Sequence, residues 1–80
     1  MIASPVKNWK ADFQDYCQKK NQTMPQYRVV EESGPEHKKH FEIAVFVGEE
    51  EWGRGRGSSK KEAQQAAAEE AIRKLSTLGL

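Results

Sequence analysis

Between Trp52 and Gly57 glycine alternates with large residues, in the order Trp52-Gly53-Arg54-Gly55-Arg56-Gly57. Successive side chains of an extended strand point to opposite faces, so the three glycines bare one face down to the backbone. Such a face admits another element at very short range. The next segment is built to supply that element. Ser59-Lys60-Lys61-Glu62 is a capping box, in which Ser59 caps the amide of Glu62 and Glu62 reaches back to Ser59. Ala63, Ala67, Ala71, Ile72 and Leu75 then recur at helical spacing, a stripe of mostly small side chains. The pattern predicts a glycine-faced strand with a close-lying helix on top of it.

Upstream, residues 1–7 read as a linker or tail. Val6, Trp9, Phe13, Tyr16 and Cys17 recur at spacings of three and four, the apolar stripe of a helix. Asn8 and Ser4-Pro5 both offer N-cap chemistry; the helix runs to about Lys20, with Asn21 as a left-handed stop and Pro25 barring continuation. Gln26 to Glu32 alternates as a strand, with Tyr27 and Val29 on one side and Arg28 and Val30 on the other. Ser33-Gly34-Pro35 opens an exposed polar loop that extends to Lys39. Phe41, Ile43, Val45 and Val47 share one face of the next strand, while Glu42, Ala44 and Phe46 share the other. Gly48 and the glutamates after it make a short connection. The order α-β-β-β-α predicts an α+β fold: a three-stranded antiparallel sheet with two helices packed on one face. The domain is expected over residues 8–76, with 77–80 as a tail.

Eighty residues allow one domain with one small core. The longest apolar run, Ile43 to Val47, is far short of the roughly 20 residues that span a bilayer, so no membrane partner is expected. Met1-Ile2-Ala3-Ser4-Pro5 leads into lysines without an apolar stretch, so no secretory leader is expected either. Cys17 is the single cysteine, which excludes an internal disulfide framework and points to a reducing, cytoplasmic setting. Thirteen basic and twelve acidic residues leave a net charge of +1, but the charges are segregated. Arg54, Arg56, Lys60 and Lys61 follow one another with no acid between Trp52 and Lys61, whereas Glu49-Glu50-Glu51 and Glu69-Glu70 cluster elsewhere. A nearly neutral chain can thus still present one basic face to phosphates.

Nothing in the chain points to catalysis. His37 and His40 lack a second ligand pair for zinc, and Cys17 lies on the apolar stripe. Adjacent glutamates of a strand point to opposite faces and do not share an ion. Gly57-Ser58-Ser59-Lys60 lacks the spacing of a phosphate-binding Walker loop.

Four stretches in order resemble the double-stranded RNA-binding domain: Pro25-Gln26-Tyr27; Gly34-Pro35-Glu36-His37 followed by Phe41; Gly53-x-Gly55-x-Gly57; and Ser59-Lys60-Lys61-Glu62-Ala63 with Ala66-Ala67-Ala68. The resemblance covers residues 8–76 and implies the α-β-β-β-α fold reached above. It also implies three contact regions for duplex RNA. In the first helix Lys10, Gln14 and Asp15 would meet a minor groove; Gln14 and Asp15 match the family's Gln-Glu pair and suit a 2′-OH donor. Asp15 is one methylene shorter than the usual glutamate, and Ala11 stands where a hydroxyl residue is common. The loop Gly34, Pro35, His37 and Lys38 would enter the next minor groove. Ser59, Lys60, Lys61 and Gln64, at the start of the last helix, would face the intervening phosphates, where helix-end amides add partial positive charge.

The stretches Gln18-Lys19-Lys20, Val30-Glu31-Glu32-Ser33-Gly34-Pro35 and Lys60 to Ala68 are most similar to the C-terminal domain of bacterial-type ribonuclease III. That likeness implies a chain that holds RNA and carries no catalytic residue. The metal-binding carboxylates and their Mg2+ would belong to a separate nuclease domain, so no cofactor is expected here. The parent enzyme would be a homodimer through that nuclease domain, and this domain alone a monomer. Two other readings are a stand-alone RNA-binding protein and a protein-interaction module of the same fold. The interaction module predicts an exposed apolar patch of Ala44, Phe46 and Trp52 on the outer face of the sheet.

Overall fold

The computed structural model describes residues 8–20 and 23–77. Helix α1 spans Trp9–Lys20, strand β1 Gln26–Ser33, β2 His40–Val47, β3 Glu50–Gly57 and helix α2 Lys60–Thr77. A single 3-10 turn, Glu36–Lys38, interrupts the β1–β2 loop. The strands pair antiparallel in the order β1-β2-β3. The α+β expectation holds, and the boundaries differ by only a few residues. β3 starts at Glu50, because Gly48 adopts φ +64° and the turn closes within Gly48–Glu49. Val6, Asn21 and the expected tail residues 1–7 and 78–80 lie outside the described residues.

Gly53, Gly55 and Gly57 pair with Val45, Ile43 and Phe41, which places them on the inward face of the sheet. The α2 stripe of Ala63, Ala67 and Ala71 is fully buried. A Cβ on Gly53 would lie 2.6 Å from the Ala67 carbonyl oxygen, and one on Gly57 would lie 2.7 Å from the Ala63 nitrogen. On Gly55 it would run into the backbone of Ala66 and Ala67. Backbone therefore packs on backbone, and glycine is needed here for space. Phe13 and Cys17 of α1, Val45 of β2, and Ala67, Ala68, Ala71 and Leu75 of α2 make one core around this contact. Burial pushes the Cys17 thiol up from its ordinary value, in keeping with a core residue.

Two β-bulges correct the simple alternation. Val45 pairs with Gly53 but Phe46 pairs with Glu51, so Trp52 has no partner on β2. The extra residue turns the indole from the arginine side to the helix side, where its ring lies 6.1 Å from that of Phe13. The outer patch of Ala44, Phe46 and Trp52 consequently does not form. Ala44 is fully buried, Phe46 is half-buried with the Arg28 guanidinium 5.1 Å from its ring centre, and Trp52 packs against the core. Charge covers that face instead. Glu42 is 3.4 Å from both Arg54 and Arg56, and Arg54 also pairs with Glu51 at 2.7 Å. The second bulge falls at Val30: Val29 pairs with Ile43 and Glu31 with Glu42, which moves Glu32 to the side of Phe41.

Gly55→Ala should cost about 3 kcal/mol or more, the upper range of overpacking, because the obstacle is backbone and cannot rotate away. For a domain of this size that lowers the thermal midpoint by roughly 12 °C or more. Gly48→Ala meets open space and loses only its left-handed backbone preference, about 1–2 kcal/mol. Thermal unfolding of both variants checks the ranking; a Gly55→Ala protein as stable as Gly48→Ala would refute the close approach.

Candidate nucleic-acid interface

The α2 N-terminus is organised by its cap. The Ser59 hydroxyl accepts from the Glu62 amide at 3.1 Å, and the Ser59 carbonyl accepts from the Ala63 amide at 3.0 Å. Glu62 does not return to Ser59, as the box pattern predicts. Its carboxylate accepts instead from the backbone amide of Ser58 at 2.6 Å and the Ser58 hydroxyl at 2.9 Å. The reach extends one residue farther because the chain leaves β3 extended through Gly57, which turns the Ser58 amide toward the first helical turn. Ser59 is thus engaged as the cap, while Lys60 and Lys61 stand exposed on a turn whose free amides favour anions.

The two lysines diverge. The Lys60 ammonium lies 5.9 Å from the centre of the Phe41 ring, on the hairpin side. Beside it, Glu32 pairs with Lys39 at 2.6 Å; the Lys39 hydrogen bond and charge, with the charge of Lys60, hold the Glu32 carboxyl below its ordinary value. Lys61 turns the other way and lines a shallow groove between the helices with Lys10, Ala11, Gln14 and Gln64. Gln64 shares this groove with Lys61.

The β1–β2 loop has a built shape. Gly34 sits at φ +94°, and a Cβ there would strike the Lys38 carbonyl, so no larger residue fits. The Lys38 amide bonds the Pro35 carbonyl at 2.9 Å and closes the 3-10 turn. His37 and Lys38 are exposed on it.

On α1, Asn8 caps the helix through a 3.1 Å bond from the Ala11 amide. Lys10 is engaged within the protein: its backbone amide donates to Gln65 Oε1 at 3.2 Å and its ammonium to Gln64 Oε1 at 2.8 Å. The same ammonium lies 5.2 Å from the Tyr27 ring centre. Burial, and then the nearby Cys17 thiol, push the Tyr27 hydroxyl up to about 12, so it stays neutral. Gln14 is exposed at the groove, and Asp15, also exposed, pairs with Lys19 at 3.2 Å. Asn8 takes the N-cap role that the sequence offers it, but sequence reasoning missed Gln65 and Glu32 as organisers of these surfaces. Gln65 meets its partners across 55 and 57 residues, and no local pattern signals such pairs. Among the described residues no three His, Cys, Asp or Glu side chains converge as a metal site.

The Glu62 carboxyl is held below its ordinary value of 4.5 by the Ser58 amide first and the Ser58 hydroxyl second. A group lowered on folding adds stability above its unfolded value and loses it as pH falls through the folded one. Glu32 and Glu51, lowered by Lys39 and Arg54, act in the same direction. Unfolding midpoints should be flat above about pH 6 and fall below about pH 4.5, with a smaller fall in Glu62→Gln. Equal losses in both proteins between about pH 6 and about pH 3 would remove Glu62 from the account.

Comparison with known proteins agrees with this geometry. The family model described as the double-stranded RNA binding motif matches residues 9–75. Ribonuclease 3 of Protochlamydia amoebophila is 55% identical over 75 residues, 94% of this chain and 31% of that protein. Ribonuclease 3 of Geobacter sulfurreducens is 44% identical over 78 residues, 95% of this chain and 32% of that protein. The chain thus spans about a third of the length of these curated relatives. Among solved structures, Arabidopsis HYL1 superposes with a TM-score of 0.75 at 33% identity, covering 88% of this chain and 99% of that one. Dicer from Pichia stipitis gives 0.70 at 30% identity, over 89% of this chain and 34% of that one. A family match across both helices, all three strands and the β1–β2 loop leaves one conclusion: the chain belongs to the double-stranded RNA binding motif family.

Proposed function

We propose that this domain binds double-stranded RNA by shape, across two successive minor grooves and the phosphates between them. Gln14 and Asp15 meet 2′-hydroxyls in one groove, and the loop of Gly34, Pro35, His37 and Lys38 enters the next. Lys60 and Lys61 hold the intervening phosphates. The observation that carries this reading is the arrangement around α2: Lys61 shares a groove with Gln14, while Lys60 stands against the hairpin that bears the loop. Regions held rigidly can be satisfied together only where wide, shallow minor grooves recur one A-form turn apart, over about 16 base pairs. B-form DNA offers narrower minor grooves and no 2′-hydroxyls.

The curated relatives named Ribonuclease 3 support a parent of that kind, in which this chain holds duplex RNA for a separate, dimeric nuclease domain carrying Mg2+ and working in the cytoplasm. The interaction-module reading loses its surface, because Trp52 packs against the core and Ala44, though on the outer face, is fully buried there.

A titration against a duplex RNA of about 20 base pairs, with DNA of the same sequence as control, tests the function; a folded chain that binds neither would overturn it. Lys60→Ala with Lys61→Ala should weaken binding and flatten its salt dependence by about 0.9 log units for each phosphate no longer neutralised, taking the B-DNA slope as a proxy. Unchanged affinity and slope would take those lysines out of the interface. His37→Ala should weaken binding with little change in slope, since it removes a groove interaction and no fixed charge. A slope change as large as that of the lysines would contradict its role.

A further inference from the structure

The first amides of a helix have no intrahelical partner, and a helix of 12 residues is marginal on its own. In α1 those amides are served from two places. Asn8 takes the Ala11 amide, but the Lys10 amide is taken by Gln65 of α2. The Gln65 amide nitrogen, in turn, donates to Asn8 Oδ1 at 3.0 Å, the same oxygen that caps Ala11. One neutral side chain thus both accepts from and donates to the cap of another helix. Gln64, its neighbour, holds the Lys10 ammonium. The polar clasp lies at the groove where Gln14, one turn beyond Lys10, stands with Lys61.

We propose that Gln65, assisted by Gln64, is a positioning residue for RNA: it caps α1 from α2 and so fixes the spacing between the α1 contact face and the α2 cations. On this view Gln64 and Lys10 act on each other before they act on RNA, and Gln65, which the contact regions do not include, sets duplex recognition. The proposal rests on the RNA-binding reading above. A clasp of this kind affects affinity only when both surfaces are engaged together. It should matter while both surfaces bind and little once the α2 cations are removed.

Gln65→Met keeps the side-chain length and removes both hydrogen bonds. Its affinity for duplex RNA of about 20 base pairs should fall about five- to tenfold, with the salt slope unchanged. In a Lys60→Ala/Lys61→Ala background, where the α2 cations no longer engage the duplex, the Gln65→Met change should stay under about twofold. Hydrogen exchange at the Lys10 and Ala11 amides should quicken. Equal losses in both backgrounds would mark Gln65 as merely structural and overturn the proposal, as would an unchanged affinity in the otherwise wild-type protein. Should Gln65→Met fail to fold, Gln64→Met removes only the acceptor of the Lys10 ammonium; the same dependence on the α2 lysines, at about two- to threefold, is then expected, and its absence is decisive. Wild-type protein that ignores duplex RNA would overturn the functional reading and this proposal together. Wild-type binding with an indifferent variant would overturn this proposal alone.

Discussion

The rest of the structure depends on the near-contact of two backbones, that of β3 at Gly53, Gly55 and Gly57 and that of α2 along Ala63, Ala67 and Ala71. Protein interiors are packed to crystal-like density, so an interface without side-chain spacers has little room to slide or tilt. That rigidity sets where α2 begins. Its first turn emerges immediately after the last glycine, and Ser58, Ser59 and Glu62 complete the change from strand to helix through their hydrogen bonds. The helix also protects the exposed edge of β3, since Glu70 accepts from the Arg54 amide at 2.5 Å.

From that fixed point α2 reaches in two directions. Lys60 lies against Phe41, next to the Glu32–Lys39 pair that closes the stem of the β1–β2 loop. Gln64 and Gln65 reach the first turn of α1. The start of α2 therefore joins the two other surfaces and sets the geometry between them. A ligand recognised by shape needs this arrangement, because only a fixed spacing can measure the distance between grooves.

The outer sheet face shows how the same chain remains nearly neutral overall. Arg54 and Arg56, which look like part of a continuous basic run in the sequence, are matched by Glu42 and Glu51 across the sheet. Exposed pairs of this kind add little stability. Their effect is on the potential: they cancel the arginine charge on the sheet and leave the basic character of the run concentrated at Lys60 and Lys61, on the first turn of α2. The segregation of charge is thus sharper in space than along the chain.

The sequence by itself determined the element order, the inward stripe of each helix, the glycine face and the cap at Ser59. Each of these follows from local periodicity or from a steric need that one residue type satisfies. Tertiary structure alone decided the two bulges, the inward turn of Trp52, the parting of Lys60 from Lys61, and the clasp of Gln65 on Asn8 and Lys10. A bulge is a mismatch between two strands, and the clasp joins residues 55 and 57 positions apart. Neither leaves a periodic trace in one segment, because each exists only once two distant backbones have been brought together.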